Sequence, residues 1–191
     1  MHTQRIAFVT GNDGKFREIS RQMAQHGYEL EHLKVSYPEV QADSLEGTIE
    51  PALAWLASRC ARPMMIDDSG LFIDALNGFP GVYSSYVYKT LGCEGILRLM
   101  AGMNSRGARF ECCIGFMVPA EEPFLAKGVA KGSISETARG SGGFGYDPIF
   151  VPEEYDRTYA EMDTIEKNEL SHRGRAIESL LEALPNLLQT P

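Results

Sequence analysis

At 191 residues, 43% of them apolar and 23% charged, the chain is long enough to bury a core without disulfide staples and too apolar to be a disordered polymer. Its formal net charge of −8 excludes a broad electrostatic grip on DNA or RNA, which needs clustered Lys and Arg, but allows a small phosphorylated ligand held by a local cation cluster or a bridging metal. Four cysteines, Cys60, Cys93, Cys112 and Cys113, make no CxxC pair and read as reduced, buried thiols. The polar opening, Met1 to Arg5, resembles no targeting peptide, and no apolar stretch approaches the roughly 20 residues of a membrane helix. The expectation is a cytoplasmic protein with no membrane segment, folded as a single domain over residues 1–191 around one large core.

Arg5 to Thr10 reads as a strand, and Phe16, Ile19 and Met23 then recur at helical spacing, so residues 10–15 form the loop between strand and helix. Tyr28 to Val35 predicts a second strand. Ile49, Ala52, Leu53 and Leu56 mark one face of a helix capped by Asp43 and Glu46, in which Pro51 demands either a kink or a start near Glu50. Met64 to Ile66 and Leu71 to Ile73 are two short apolar runs separated by the polar break Asp67-Asp68-Ser69-Gly70. Gly92 to Met100 predicts a helix. Ala108 to Val118 and Pro123 to Ile134 predict a hairpin turning at Pro119 to Glu122. A last helix carries Ala176, Ile177, Leu180, Leu181, Leu184 and Leu188, with Ser171 as its N-cap; a break there frees Lys167, His172 and Arg173 to approach one ligand. Alternation of strands and helices followed by antiparallel strands favours an α/β fold with a mixed sheet.

Several segments carry chemistry. Thr10, Gly11, Asn12, Asp13, Gly14 and Lys15 stand where a strand turns into a helix, so backbone N–H groups, the Asn12 amide and the Lys15 ammonium can converge on an anion, or the segment is simply a turn. It is not a Walker loop, since Phe16 occupies the place of the metal-binding hydroxyl. Asp67 and Asp68 are adjacent, and neighbours on a strand face opposite ways, so only one enters a given site. They are either turn residues on a solvated loop or acids at the end of buried strands that must be hydrated, paired or metal-bound. Glu39 offers a further hard oxygen ligand of the kind Mg²⁺ prefers.

Gly140 to Gly145 matches GxGxxG, yet Tyr146-Asp147-Pro148 follows at once, where a dinucleotide fold needs a helix. The alternatives are a flexible glycine hinge presenting Phe144 as a stacking plate and Asp147 as a hydrogen-bonding edge reader, or a tight loop whose Phe fills the core. His172 and Arg173 either donate to base oxygens and phosphates or cap a helix in solvent. His2, His26 and His32 have no metal-ligand spacing and receive no role.

Four blocks, TGNDGKFREI at 10–19, DDSGLFIDALNGFPGVYSSYV at 67–87, GGFGYDPIFVP at 142–152 and EKNELSHRGRA at 166–176, together resemble the non-standard purine nucleoside triphosphate pyrophosphatases, the inosine/xanthosine triphosphate pyrophosphatase family. The likeness spans nearly the whole chain. It implies an elongated mixed sheet flanked by helices, in two lobes with a central cleft. It also implies Mg²⁺-dependent hydrolysis of ITP, dITP and XTP to the monophosphate and pyrophosphate, by a cytoplasmic homodimer that cleanses the nucleotide pool. Carried over by motif, Thr10 to Lys15 would hold the phosphates, and Glu39 and Asp68 the metal, with Asp68 also accepting the proton of the attacking water. Ser69 would contact substrate. Phe144, Gly145, Tyr146, Asp147, Lys167, His172 and Arg173 would enclose the base and read its oxo edge.

Overall fold

The computed structural model describes residues 4–189; Met1–Thr3, with the His2 considered above, lie outside the described residues. In chain order the helices and strands are β1 (Gln4–Val9), α1 (Asp13–Gln25), β2 (Tyr28–Leu33), α2 (Leu45–Ala57), β3 (Met64–Ile73), β4 (Pro80–Gly81), α3 (Ser84–Leu99), β5 (Gly107–Met117), β6 (Phe124–Ile134), β7 (Phe150–Pro152), α4 (Thr164–Leu170) and α5 (His172–Leu187). The strands form one mixed sheet in the order β2-β1-β3-β5-β6-β7, with β4 paired to β3. β1 runs parallel to both β2 and β3, whereas β3–β4 and β6–β7 are antiparallel. The mixed α/β architecture expected from the alternation of elements is the one observed.

The chain divides into two compact units. The first takes the described residues up to Asp68, Cys112–Gly128 and the described residues from Arg173; the second takes Ser69–Glu111 and Val129–His172. In the first unit, Ile6 and Phe8 of β1, Ile114 and Phe116 of β5, Ile19 and Met23 of α1 and Ile177 and Leu180 of α5 share one buried cluster. The helical spacing of these α1 and α5 residues turns one face of each helix onto the sheet, where each fully buried Leu or Ile contributes about 1.5–3 kcal/mol. Gly115 marks the opposite face of β5. A Cβ there would lie 2.4 Å from Ile49 and 2.5 Å from Leu53, so α2 packs against bare backbone.

The second unit has its own cluster, including Leu71 and Ile73 of β3, Val87 and Ile96 of α3, Phe110 of β5 and Phe150 of β7. Length alone suggested one core; the buried apolar residues form two clusters, and β3, β5 and β6 each pass from one unit to the other.

Several local expectations change. β3 runs unbroken through Asp67-Asp68-Ser69-Gly70, because alternation lets polar side chains ride on a strand that buries its neighbours. Ser44, not Asp43 or Glu46, caps α2, its hydroxyl accepting from Gly47 N at 3.2 Å. α2 begins six residues before Pro51, which is exposed inside the helix, so the start near Glu50 is excluded. The helix predicted at Gly92 is the second half of α3, whose backbone leaves helical angles at Gly92 (φ 62°). Cys112 and Cys113 are buried as expected, but Cys60 and Cys93 are only half-buried.

Candidate active site

The parallel pairing of β1 with β2 ends at Val9–Leu33, and the chain turns there into α1. Asn12 is the N-cap of that helix. Its Oδ1 accepts from Gly14 N (2.8 Å) and Lys15 N (3.1 Å), and Thr10 Oγ1 accepts from Asn12 N (3.2 Å). Residues 10–15 therefore form a capped helix N-terminus, the positive end of the α1 dipole, with Lys15 in the first turn. Gly11, Asn12 and Asp13 are exposed, whereas Thr10 is 8% exposed. Asp13 is paired to Lys34 (2.7 Å), which holds its carboxyl below the usual range.

β3 carries the two acids next to this loop in the same unit. Asp67 is buried, its side chain 0% exposed, with Lys15 Nζ 3.0 Å and Arg173 Nε 3.7 Å from its Oδ2. These are charge contacts, not aligned hydrogen bonds; Lys15 donates instead to the Asp67 carbonyl oxygen at 3.4 Å. Arg173, at the start of α5, also donates to Glu18 of α1 (2.6 Å). Two cations and two carboxylates from three elements thus neutralise one another in a buried cluster.

Asp68 faces the other way, as alternation requires, and its Oδ2 accepts from the Thr48 hydroxyl of α2 at 3.0 Å. Burial first, then the charges of Asp67, Glu39 and Asp68, push the ionisation of the Tyr37 phenol upward. Glu39 is exposed and Asp68 half-buried. No group of three or more His, Cys, Asp or Glu that could hold a metal occurs among the described residues. A pair of hard carboxylate oxygens fits Mg²⁺, which keeps several waters and takes one or two carboxylates alongside substrate phosphates.

The second unit holds the remaining candidates. Lys167, in α4 and 4% exposed, donates to Asp147 Oδ2 at 2.7 Å, and its ammonium lies 4.8 Å from the centre of the Phe144 ring. Asp147 Oδ2 also accepts from Phe144 N at 2.7 Å. The glycine loop is therefore pinned and not a free hinge, since Gly142 N also donates to the Ala160 carbonyl (3.0 Å). Gly143 has φ +69°, and a Cβ there would sit 2.0 Å from Asp147 Oδ2, so only glycine lets the carboxylate reach the backbone. Cys93 Sγ donates to the Gly145 carbonyl at 3.4 Å, and Tyr146 donates to the Ser84 carbonyl at 3.2 Å. After the loop comes a single 3-10 turn, Asp147–Ile149, and then β7, which rules out the dinucleotide reading of GxGxxG.

The expected break between α4 and α5 falls at Ser171, whose backbone is extended (φ −76°, ψ 154°). It separates Lys167 from α5, and His172, 4% exposed, stacks on Phe110 with ring centres 4.6 Å apart. Ser69 is half-buried. Lys167 and Asp147 are brought together directly; Lys15 and Arg173 meet through Asp67.

The Ham1 family model matches residues 6–183. The chain belongs to the Ham1 family. Among its Ham1-family relatives, the "dITP/XTP pyrophosphatase" of Thermococcus kodakarensis is 51% identical over 97% of this chain and 100% of its own length. The "dITP/XTP pyrophosphatase" of Pyrococcus horikoshii is 49% identical over 94% of this chain and 96% of its own. The solved structure of the Staphylococcus aureus Ham1 protein superposes with a TM-score of 0.84 at 28% identity, covering 96% of this chain and 99% of that one. The resemblance drawn from four sequence blocks is borne out by these relatives.

Sequence reasoning missed the partners of the named residues in this Ham1-family chain: Glu18, Thr48, the burial of Asp67, and His32, which contacts the loop. Glu18 is one helical turn from Lys15, a spacing that places it beside the loop but gives no sign of Arg173. Thr48 and His32 carried no such signal, because each meets its partner through tertiary packing alone.

Proposed function

We propose that this chain hydrolyses non-standard purine nucleoside triphosphates, XTP, dITP and ITP, to the monophosphate and pyrophosphate. The reading is carried by one observation: a capped helix N-terminus bearing Lys15 lies against β3, whose Asp67 takes that lysine while the next residue, Asp68, faces the opposite way as a half-buried carboxylate. The names of relatives about half identical to the chain support it.

In the proposed reaction the triphosphate lies against the capped N-terminus of α1, at residues 10–15, with the helix dipole and Lys15 against its charge. Asp68 takes a proton from water as the water oxygen attacks the α-phosphorus; the bond from that phosphorus to the bridging oxygen breaks, and pyrophosphate leaves with the electron pair. Glu39 and Asp68 are the residues that would hold Mg²⁺, which when bound supplies neutralising charge to the phosphates. The Thr48 hydroxyl, whose one proton is shared between the Leu45 carbonyl (2.7 Å) and Asp68 Oδ2 (3.0 Å), lies against the carboxylate.

Ser69 contacts the substrate, and Phe144, Gly145, Tyr146, Asp147, Lys167, His172 and Arg173 are the proposed base-reading set. Phe144 stacks on the purine, and Lys167, oriented by Asp147, presents a donor for a 6-oxo group. A donor left unpaired against the 6-amino group of adenine costs about 1–3 kcal/mol, which disfavours ATP.

The proposed role is removal of deaminated purine nucleotides from the cytoplasmic pool, by a homodimer. Exposed Tyr83, Tyr86, Tyr88 and Leu91, in and just before α3, support self-association. Light scattering of the purified protein should give twice the monomer mass, and a monomer mass would remove that part of the reading.

The decisive experiment compares pyrophosphate release from dITP, XTP, ATP and GTP in the presence of Mg²⁺. The first two should be far faster; equal rates on all four would end the proposed specificity. Asp68→Asn should lower kcat by at least about a thousandfold with an unchanged circular dichroism spectrum.

A further inference from the structure

His32 lies outside every role assigned above, yet three features aim it at the phosphate loop. Its Nε2 is 2.9 Å from the carbonyl oxygen of Thr10. A carbonyl only accepts, so Nε2 carries the hydrogen and the contact is a donated hydrogen bond. Its ring stacks on Phe16, the residue after Lys15, with centres 4.1 Å apart and planes 7° from parallel. Its Nδ1 is 3.9 Å from Asp13 Oδ1, the oxygen that Lys34 also holds.

The consequence follows along the backbone. Thr10 N donates to the Leu33 carbonyl at 3.1 Å, so His32 and Leu33, consecutive residues of β2, hold the carbonyl and the N–H of Thr10. The Thr10 hydroxyl then accepts from Asn12 N, and Asn12 Oδ1 accepts from Gly14 N and Lys15 N. A hydrogen-bonded chain runs from the imidazole to the first turn of α1.

We infer that His32 is a positioning residue for the phosphate loop: by fixing the Thr10 peptide and the Phe16 ring, it sets the conformation of residues 10–15, and with it the place of Lys15 and the helix N-terminus, before a triphosphate arrives. Ordering the loop in advance removes an entropic cost from binding, so the effect belongs to affinity for the phosphates and not to the chemical step. The inference rests on the reading of residues 10–15 as the triphosphate site.

Two variants separate its parts. H32F keeps an aromatic plane against Phe16 and deletes the donor; H32Q restores a donor without the ring. For H32F, the KM for dITP should rise about three- to tenfold with kcat within about twofold of wild type, as loss of one such hydrogen bond predicts. H32Q should recover most of the difference. A variant that is merely less stable would lose apparent kcat in proportion to its unfolded fraction and keep its KM.

Calorimetric binding of inorganic triphosphate with Mg²⁺ to all three proteins supplies a readout independent of turnover. Equal triphosphate affinity across the three, or H32Q no better than H32F, overturns the inference. Should wild type bind triphosphate more tightly than H32F yet leave dITP intact, the pyrophosphatase reading fails while the brace stands.

Discussion

Each unit buries a cation–carboxylate assembly, and the two are built differently. In the first, Lys15 and Arg173 share Asp67, Glu18 takes the other side of Arg173, and Lys15 keeps a 17% exposed side chain. In the second, one lysine meets one carboxylate, both side chains 5% exposed, and the same carboxylate oxygen is tied to the backbone of the glycine loop. The first is a distributed network from which a cation can turn toward an incoming anion without stranding its partner. The second is a fixed bond whose geometry is set before any ligand arrives. Such a difference suits two kinds of ligand group: a flexible, highly charged one for the first assembly, a flat one of defined edge for the second.

The sharpest way to break this comparison is to delete one acid from each assembly. Asp147→Ala takes a carboxylate away from the buried Lys167 ammonium and should cost about 3–5 kcal/mol of stability in urea denaturation. Asp67→Asn should cost less than half of that, because Glu18 still holds Arg173 and Lys15 can reach water. Equal losses would show that the two clusters are energetically alike.

Next in size is Lys15→Met, which should lower kcat/KM about 10- to 100-fold, the worth of a charge-assisted hydrogen bond, and to the same extent for dITP and XTP. Phe144→Leu keeps apolar area but loses the aromatic face. It should raise the KM for dITP about 2- to 10-fold and leave binding of inorganic triphosphate unchanged, as measured by steady-state kinetics and calorimetry. Loss of triphosphate binding in Phe144→Leu would undo the division of labour.

The smallest effect is a pH dependence that both units share. Burial, reinforced by Asp147 and Glu94, pushes the Cys93 thiol up to about 11, and burial, reinforced by Cys112 and Asp68, pushes Cys113 up to about 12. Both start from an ordinary value of 9.0, so above it the unfolded chain releases protons that the folded chain retains. Stability should therefore be complete below pH 9 and fall as pH rises toward 11, read as a declining urea midpoint between pH 8 and pH 10.5. Replacing Cys93 and Cys113 by Ala should flatten that decline.

What the sequence made legible was periodic or local. Phe16, Ile19 and Met23 marked α1, Leu180 and Leu184 marked α5, and the break at Ser171 followed from a capping residue at the head of the last helical pattern. The opposite orientations of Asp67 and Asp68 followed from strand parity alone. Polar residues misled where tertiary context overrode composition: DDSG looked like an interruption, though its backbone continues β3 by pairing with neighbours remote in sequence. The first half of α3, SSYVYKTL, escaped notice because its aromatic residues are largely exposed, which blurs a helical stripe. Within the candidate site the side chains were named from motif, whereas most of their partners carried no local signal. Glu18 with Arg173, 155 residues apart, and Thr48 with Asp68, 20 apart, meet only once the chain has folded.

The course of the chain through the two units bears on how the protein is made. Because α5 supplies Ala176, Ile177 and Leu180 to the same cluster as Ile6, the unit that contains β1 cannot close until α5 has left the ribosome. The other unit, complete by His172, is synthesised in full beforehand. β1 thus waits for α5 before its cluster is complete, and a chain stalled or clipped before residue 173 would expose β1 and α1 as a sticky, unfinished surface.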